Sequence, residues 1–268
     1  MNIQASAVAA HTDYLLHLAD NALILGQRNA EWCGHGPILE EDLALANNSL
    51  DLIGQARLLY QHVAALRNDG HSTEDRLAYF RDVPEFRNFT LLELPHSTAL
   101  APTTAGNRDY AVTIVRNFLY SALMVLVWEG LKASTDAQLA AIAAKSLKET
   151  QYHLRHARDW LLRLGDGTEE SHVRTQAAVD HLMVYTQEFW TSSATEAAVT
   201  EAGVGVDTRR LQEAWNTLVN DTLAQATLQR PATDGYVTTG KQGQHSEHLG
   251  FVLAEMQSLA RAHPEAVW

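Results

Sequence analysis

Carboxylates and histidines recur at helical spacing in this chain, and the chemistry they bring to mind is metal binding. A carboxylate-bridged dimetal centre takes a Glu from each of two helices and a Glu-x-x-His pair from each of two others. Residues three apart lie on one helix face, so the carboxylate and imidazole can ligate the same ion. The strict matches are Glu93-Leu94-Pro95-His96, interrupted by proline, and Glu169-Glu170-Ser171-His172, beside a loop. Neither is expected in mid-helix. Glu149-Thr150-Gln151-Tyr152-His153 does read as helical, but its four-residue spacing leaves the carboxylate one position away. His153 and His156 share a face, yet Arg155 and Arg158 beside them oppose recruitment of a cation. On the residues alone, hydrogen-bonded pairs are favoured over a metal.

Other chemistries are weaker still. Gly235-Tyr236-Val237-Thr238-Thr239-Gly240-Lys241-Gln242 nearly spells a phosphate-binding loop, but Gln242 stands where a hydroxyl should hold magnesium, and no strand is expected ahead of it. The milder reading is a flexible loop whose Lys241 and amides lead into the last helix, where an anion is acceptable. Cys33 has His35 near it only in sequence, and there is no Gly-x-Ser-x-Gly elbow. Asp20, Asp42 and Asp51 sit among apolar neighbours on expected helices, where burial would demand partners such as Arg57 or His153.

The elements that must position these residues are helices, because apolar residues repeat at three and four rather than two, and only 6 Pro and 15 Gly interrupt them. Tyr14, Leu15, Leu18, Ala22 and Leu25 mark a first helix, ended by the glycines of 31–36. A second runs from about Ile38 to Arg67, with Pro37 suited to its first turn. It carries one apolar stripe of Leu39, Leu43, Ala46, Leu50, Ile53, Tyr60 and Ala64, and another of Leu45, Leu52, Leu59 and Leu66, so it is expected to pack between neighbours. After an irregular aromatic stretch, 68–107, come Tyr110–Leu131 and Asp136–Leu164, the latter closed by Gly165-Asp166-Gly167 as a left-handed cap. Val173–Trp190, Asp207–Ala226 with Asp207 as N-cap, and Gln244–Ala262 complete the set. The expectation is all-α: one domain over 1–268, with four long bundle helices and three additions.

Composition narrows the function. Among 268 residues, 20 Lys+Arg face 32 Asp+Glu, and the net charge of -12 disfavours nucleic acid and anionic lipid. The same field opposes a polyanion such as coenzyme A unless a local basic patch or a more basic partner holds it. No basic segment followed by an apolar run opens the chain, and a single cysteine suits a reducing cytoplasm.

Several stretches resemble one family in order along the chain: Leu18-Ala19-Asp20-Asn21, Glu31-Trp32-Cys33-Gly34-His35, Asp42 to Asn47, Leu50-Asp51-Leu52-Ile53-Gly54-Gln55-Ala56-Arg57, Lys148-Glu149 with Tyr152 to Arg155, and His245-Ser246-Glu247-His248-Leu249-Gly250 with Leu253 to Gln257. Together they resemble the C subunits of multicomponent phenylacetyl-coenzyme A epoxidases. The resemblance implies a ferritin-like fold and a complex with a catalytic A subunit that carries di-iron and epoxidises the ring of phenylacetyl-coenzyme A, using O2 and electrons from a reductase. Laid against that catalytic relative, one Glu-x-x-His falls on Leu52 and Gln55 and the other on Thr150 and His153, with Asp20 at a first-helix carboxylate position. The chain is then expected to hold no metal or cofactor itself and to meet phenylacetyl-coenzyme A only through the complex, with Lys241, Arg155 and Arg158 as candidate coenzyme A contacts. Two other classes stay open: an independent di-metal carboxylate oxidase, and a helical module that binds acyl-coenzyme A alone.

Overall fold

A computed structural model describes residues 3–99, 108–233 and 235–266. Among these the regular structure is helical, with one isolated bridge between Thr239 and Gln244. The chain divides into two compact units, 1–94 with 239–268, and 95–238.

The first unit is built on a long hairpin of α1 (Ile3–Ala30) and α2 (Leu39–Arg67). Gly26 faces α2 closely, since a Cβ there would stand 3.3 Å from Ile53 Cγ1, a tight contact. The turn between them is held by Asp42, whose Oδ2 accepts from the amides of Gly34 (2.7 Å) and Gly36 (3.2 Å). Gly34 adopts φ +77, and a Cβ on Gly36 would collide with Asp42, so both glycines are required. α2 starts at Leu39, one residue later than the sequence suggests, because Ile38 is the extended N-cap; Pro37 therefore precedes the cap. The stripe of Leu45, Leu52 and Leu59 is buried, whereas Leu39, Leu43, Leu50 and Ile53 face solvent. The expectation that α2 buries both stripes is thus corrected: much of the stripe that begins at Leu39 has no cover among the described residues.

The stretch expected to be irregular contains two short helices, α3 (Glu74–Tyr79) and α4 (Thr90–Glu93), and a 3-10 turn at Val83–Glu85; residues 100–107 lie outside the described ones. α3 and α4 pack on the hairpin and on α10 (Glu247–Ala262), which completes this unit.

The second unit centres on α5 (Tyr110–Leu131) and α6 (Ala137–Gly165), with α7 (Glu169–Met183) and α9 (Gln212–Gln225) packed against both. α5 has the length and hydropathy of a membrane span, but 89% of that window is buried inside the protein, which marks a core helix. Gly165 ends α6 without a left-handed cap: the residue after it, Asp166, has φ -101. Its glycine is needed for another reason, the close approach of Ala226 and Leu228. The expected helix over 173–190 is two elements, α7 and a 3-10 segment Val184–Trp190, and α8 (Ala194–Glu201) is an addition the periodicity does not show. Asp207 does serve as an N-cap, accepting from the Arg209 amide at 3.1 Å, but the turn it caps is 3-10 and α9 begins at Gln212.

Candidate functional site

Asp20, Glu93, His96 and His153, among the positions at which carboxylates and imidazoles could have gathered a metal, are buried. In α1, Asp20 is fully buried beside His17 and Asn21. Its Oδ1 accepts from the Tyr60 hydroxyl at 2.5 Å and from Arg81 Nη2; its Oδ2 accepts from Arg81 Nη1 at 3.0 Å and from the Arg87 amide at 2.8 Å. Four donors surround one carboxylate, and two of them belong to a single guanidinium. Burial lowers the Arg81 pKa more than any single neighbour raises it, but the Asp20 charge, Tyr60, the hydrogen bond to Asp20 and Glu85 together outweigh it and the net shift is upward. Burial, followed by the same carboxylate, pushes the Tyr60 hydroxyl well up, so it stays a donor.

His17 and Asn21 serve the same segment. His17 Nδ1 donates to the Arg87 carbonyl oxygen at 2.6 Å, while Asn21 Oδ1 accepts from the Phe89 amide at 2.8 Å. About two turns beyond Asn21 on α1, Arg28 Nε donates to the Glu93 carbonyl oxygen at 3.1 Å. The polar row of α1 thus meets backbone groups of Arg87, Phe89 and Glu93, around the 3-10 turn and α4. α10 completes this from another side: Gln257 Nε2 donates to the carbonyl oxygens of Ala78 (3.2 Å) and Arg81 (3.0 Å).

Glu93, one half of the Glu-x-x-His motif, is the anchor for residues just ahead of α10. Its carboxylate accepts from Asn88 Nδ2 (2.8 Å), His245 Nδ1 (2.8 Å) and the Ser246 amide (2.6 Å). His245 Nε2 lies 3.0 Å from the Phe86 carbonyl oxygen, so both ring nitrogens face acceptors and the geometry calls for a proton on each. His96, the other half of the motif, has different partners: its Nδ1 lies 2.6 Å from Thr113 Oγ1 and 2.7 Å from Arg116 Nη2. In Glu169-x-x-His172, the imidazole Nδ1 lies 2.7 Å from the Gly165 carbonyl oxygen, at the start of α7. Neither motif presents a ligand pair.

Leu52 and Gln55 are both buried on α2, and Thr150 and His153 are buried on α6. Asp42 and Asp51 are only partly buried, Asp42 clamps the turn described above, and Arg57 pairs with Glu74 at 3.1 Å while Asp20 takes Arg81 as its partner. Of the candidate coenzyme A contacts, Lys241 is buried with its Nζ 5.8 Å from the Phe89 ring centre. Arg155 lies over the Tyr152 ring at 5.4 Å, and Arg158 donates to Thr222 (3.3 Å) and Gln225 (2.9 Å). Cys33 is a free, exposed thiol, and His35 Nδ1 is bonded to the Cys33 carbonyl oxygen at 3.0 Å.

A family model described as "Phenylacetic acid catabolic protein" matches residues 2–268. The chain belongs to the phenylacetic acid catabolic protein family. Its fold is accordingly all-α and ferritin-like. Among its relatives is the C subunit of the 1,2-phenylacetyl-CoA epoxidase of Escherichia coli (strain K12), 45% identical over 257 residues that cover 96% of this chain and 98% of that protein. In this family member the residues that resemble the family's metal positions do not fit a di-iron centre. Asp20 already has a cationic partner in Arg81, Leu52 offers no donor atom, and Gln55 and Thr150 present an amide and a hydroxyl where an imidazole and a carboxylate are needed.

Proposed function

We propose that this phenylacetic acid catabolic protein is the non-catalytic structural subunit of a multicomponent 1,2-phenylacetyl-CoA epoxidase, binding and stabilising a di-iron catalytic A subunit in aerobic phenylacetate degradation. The name of its Escherichia coli relative supports the enzyme, and the Arg81–Asp20 pair carries the non-catalytic role. A carboxylate kept for iron is held ready for a cation; here the guanidinium supplies that charge permanently. A ligand position filled by packed Leu52 likewise removes a buried charge that metal would otherwise have to neutralise. The bundle therefore folds without metal, and its contribution to the complex is an interface that stabilises the partner by mass action. Ring epoxidation, O2 activation and electron uptake belong in this reading to the A subunit. Phenylacetyl-coenzyme A reaches the complex through that subunit, and the complex is cytoplasmic.

Co-expression with the A subunit of the same enzyme, followed by size exclusion and iron quantification, tests this. The expected result is co-elution, with iron in the complex and none at stoichiometric level in this chain alone. A lone chain that retains close to two irons would overturn the reading and make the protein an oxidase.

A further inference from the structure

At the C-terminal end of α2 the first unit has a cavity of about 260 Å³, built by α1, the last residue of α2, the loop after it, α3 and the residues that follow α3. Four arginines line it, Arg67, Arg76, Arg81 and Arg87, with His71 beside them and two carboxylate residues, Asp13 and Glu85, against them. The chain as a whole carries 20 Lys+Arg against 32 Asp+Glu, so the balance in this cavity is the reverse of the global one.

The four arginines are not equivalent. Arg81 is committed within the fold: its Nε donates to the Leu77 carbonyl oxygen, and its terminal nitrogens to Asp20 and the Glu85 carbonyl oxygen. Arg67, Arg76 and Arg87 pair with no carboxylate among the described residues. Arg76 lies 5.9 Å over the Phe80 ring, and Arg87 uses Nη1 alone, on the carbonyl oxygens of Pro84 (2.7 Å) and Phe86 (2.8 Å). The carboxylates, in contrast, are largely turned to their own backbone. Glu85 accepts from the Asp82 amide at 2.7 Å, and Asp69, next to the cavity loop, accepts from the amides of His71 (2.9 Å) and Ser72 (2.7 Å). That leaves Asp13, half-buried on α1, as the carboxylate that opposes an anion.

Like charges converge at a cost that an opposite charge between them removes. Leu16 and Leu77, both buried, give the cavity an apolar wall, which strengthens the field of the cations in front of it. The planar fork of a guanidinium matches two oxygens of a phosphate. Size narrows the ligand further: drug-sized molecules fill roughly 300–1,000 Å³, so this cavity takes a small anionic group and not a whole nucleotide.

We propose that the cavity binds a phosphate or diphosphate group through Arg67, Arg76 and Arg87. Two sources share that chemistry, free inorganic phosphate or diphosphate, and the diphosphate of a coenzyme A ester. Only the second rests on the proposed function.

Titration calorimetry of the full-length chain with inorganic diphosphate, sulfate and coenzyme A tests the site. Diphosphate is expected to bind more tightly than sulfate. Arg67→Gln and Arg76→Gln, both on exposed side chains, should each weaken it about threefold or more at unchanged unfolding midpoint. Asp13→Asn should tighten it, an outcome that loss of structure would not produce. No diphosphate binding by the wild type, sulfate binding as tight as diphosphate, or unaltered affinity in both arginine variants would each overturn the site. Coenzyme A that displaces diphosphate, and is weakened by the same two changes, would identify the ester as the source. Diphosphate that coenzyme A fails to displace would assign the site to the free anion and leave the proposed function untouched.

Discussion

Arg81 donates from both terminal nitrogens to the fully buried Asp20 carboxylate, one to each oxygen. A buried ion pair of this kind is weak evidence for net stability, but removing one partner leaves the other charge uncompensated. Arg81→Met is expected to lower the unfolding free energy by about 3–5 kcal/mol in urea denaturation, and Asp20→Asn combined with Arg81→Met by clearly less than the sum of the two single changes. Additive losses would show that the two groups do not act as a pair.

Leu52 marks a position where the resemblance places a metal-ligating glutamate. Leu52→Glu with Gln55→His would restore the Glu-x-x-His pattern on α2, yet its carboxylate would enter a packed apolar site. The expected result is a loss of about 3 kcal/mol or more in the lone chain, not recovered by adding ferrous iron, because Asp20 stays committed to Arg81. Recovery on iron addition would contradict the proposed non-catalytic role.

The sequence shows the long helices well, because twenty or more residues of three-four periodicity leave little ambiguity, as at α5 and α6. It shows the site poorly. Asp20 stands out, but Arg81 lies in a stretch with no period, and nothing local says that its guanidinium folds back on α1. Glu93 and His245 are 152 residues apart, so their bond is invisible until tertiary structure forms. Asp42 is legible as a helical carboxylate and not as a turn clamp, because its two partners are glycine amides whose orientation depends on φ at Gly34. The exposed stripe of α2 reads as core for a simple reason: apolar periodicity reports a surface to be covered and is silent about which chain covers it.

His248, at the start of α10, has its pKa held below the ordinary 6.5, first by burial and then by Arg28, against the opposing pull of Glu247 and Glu93. A depressed folded-state value means that the neutral ring contributes fully above the unfolded value; the contribution is lost as pH falls from there toward the folded value, where the unfolded chain takes up a proton that the folded one refuses. Stability should therefore drop as pH falls below the ordinary 6.5, and His248→Gln should make that drop smaller. His181, lowered by burial and then by Arg116, acts in the same direction and leaves a residual slope in the variant. Identical slopes in variant and wild type would rule His248 out as a contributor.

The carboxylate of Glu93 is the point at which the residues preceding α10 are fastened, through His245 and the Ser246 amide. Glu93→Gln keeps the shape but gives Nδ1 of His245 a neutral partner. It is expected to cost about 3 kcal/mol, and the coupling with His245→Gln in a double-mutant cycle should fall between about 0.5 and 3 kcal/mol. Hydrogen exchange would locate the effect: amides of the first turn of α10 should lose protection before those of α1.

Gly54 allows a prediction of the opposite sign. Its backbone is helical with no positive φ, and the space around a Cβ is empty, so alanine fits without strain. Alanine also removes conformational freedom from the unfolded chain and shields the helical backbone, and both effects favour folding. Gly54→Ala should raise the stability of the lone chain by about 0.5–1 kcal/mol, read as a higher urea midpoint at unchanged slope. A gain means that this chain alone would be better off without the glycine, and that the reason for it is to be sought in what packs against α2; a loss would reveal a contact within the chain that fills the space.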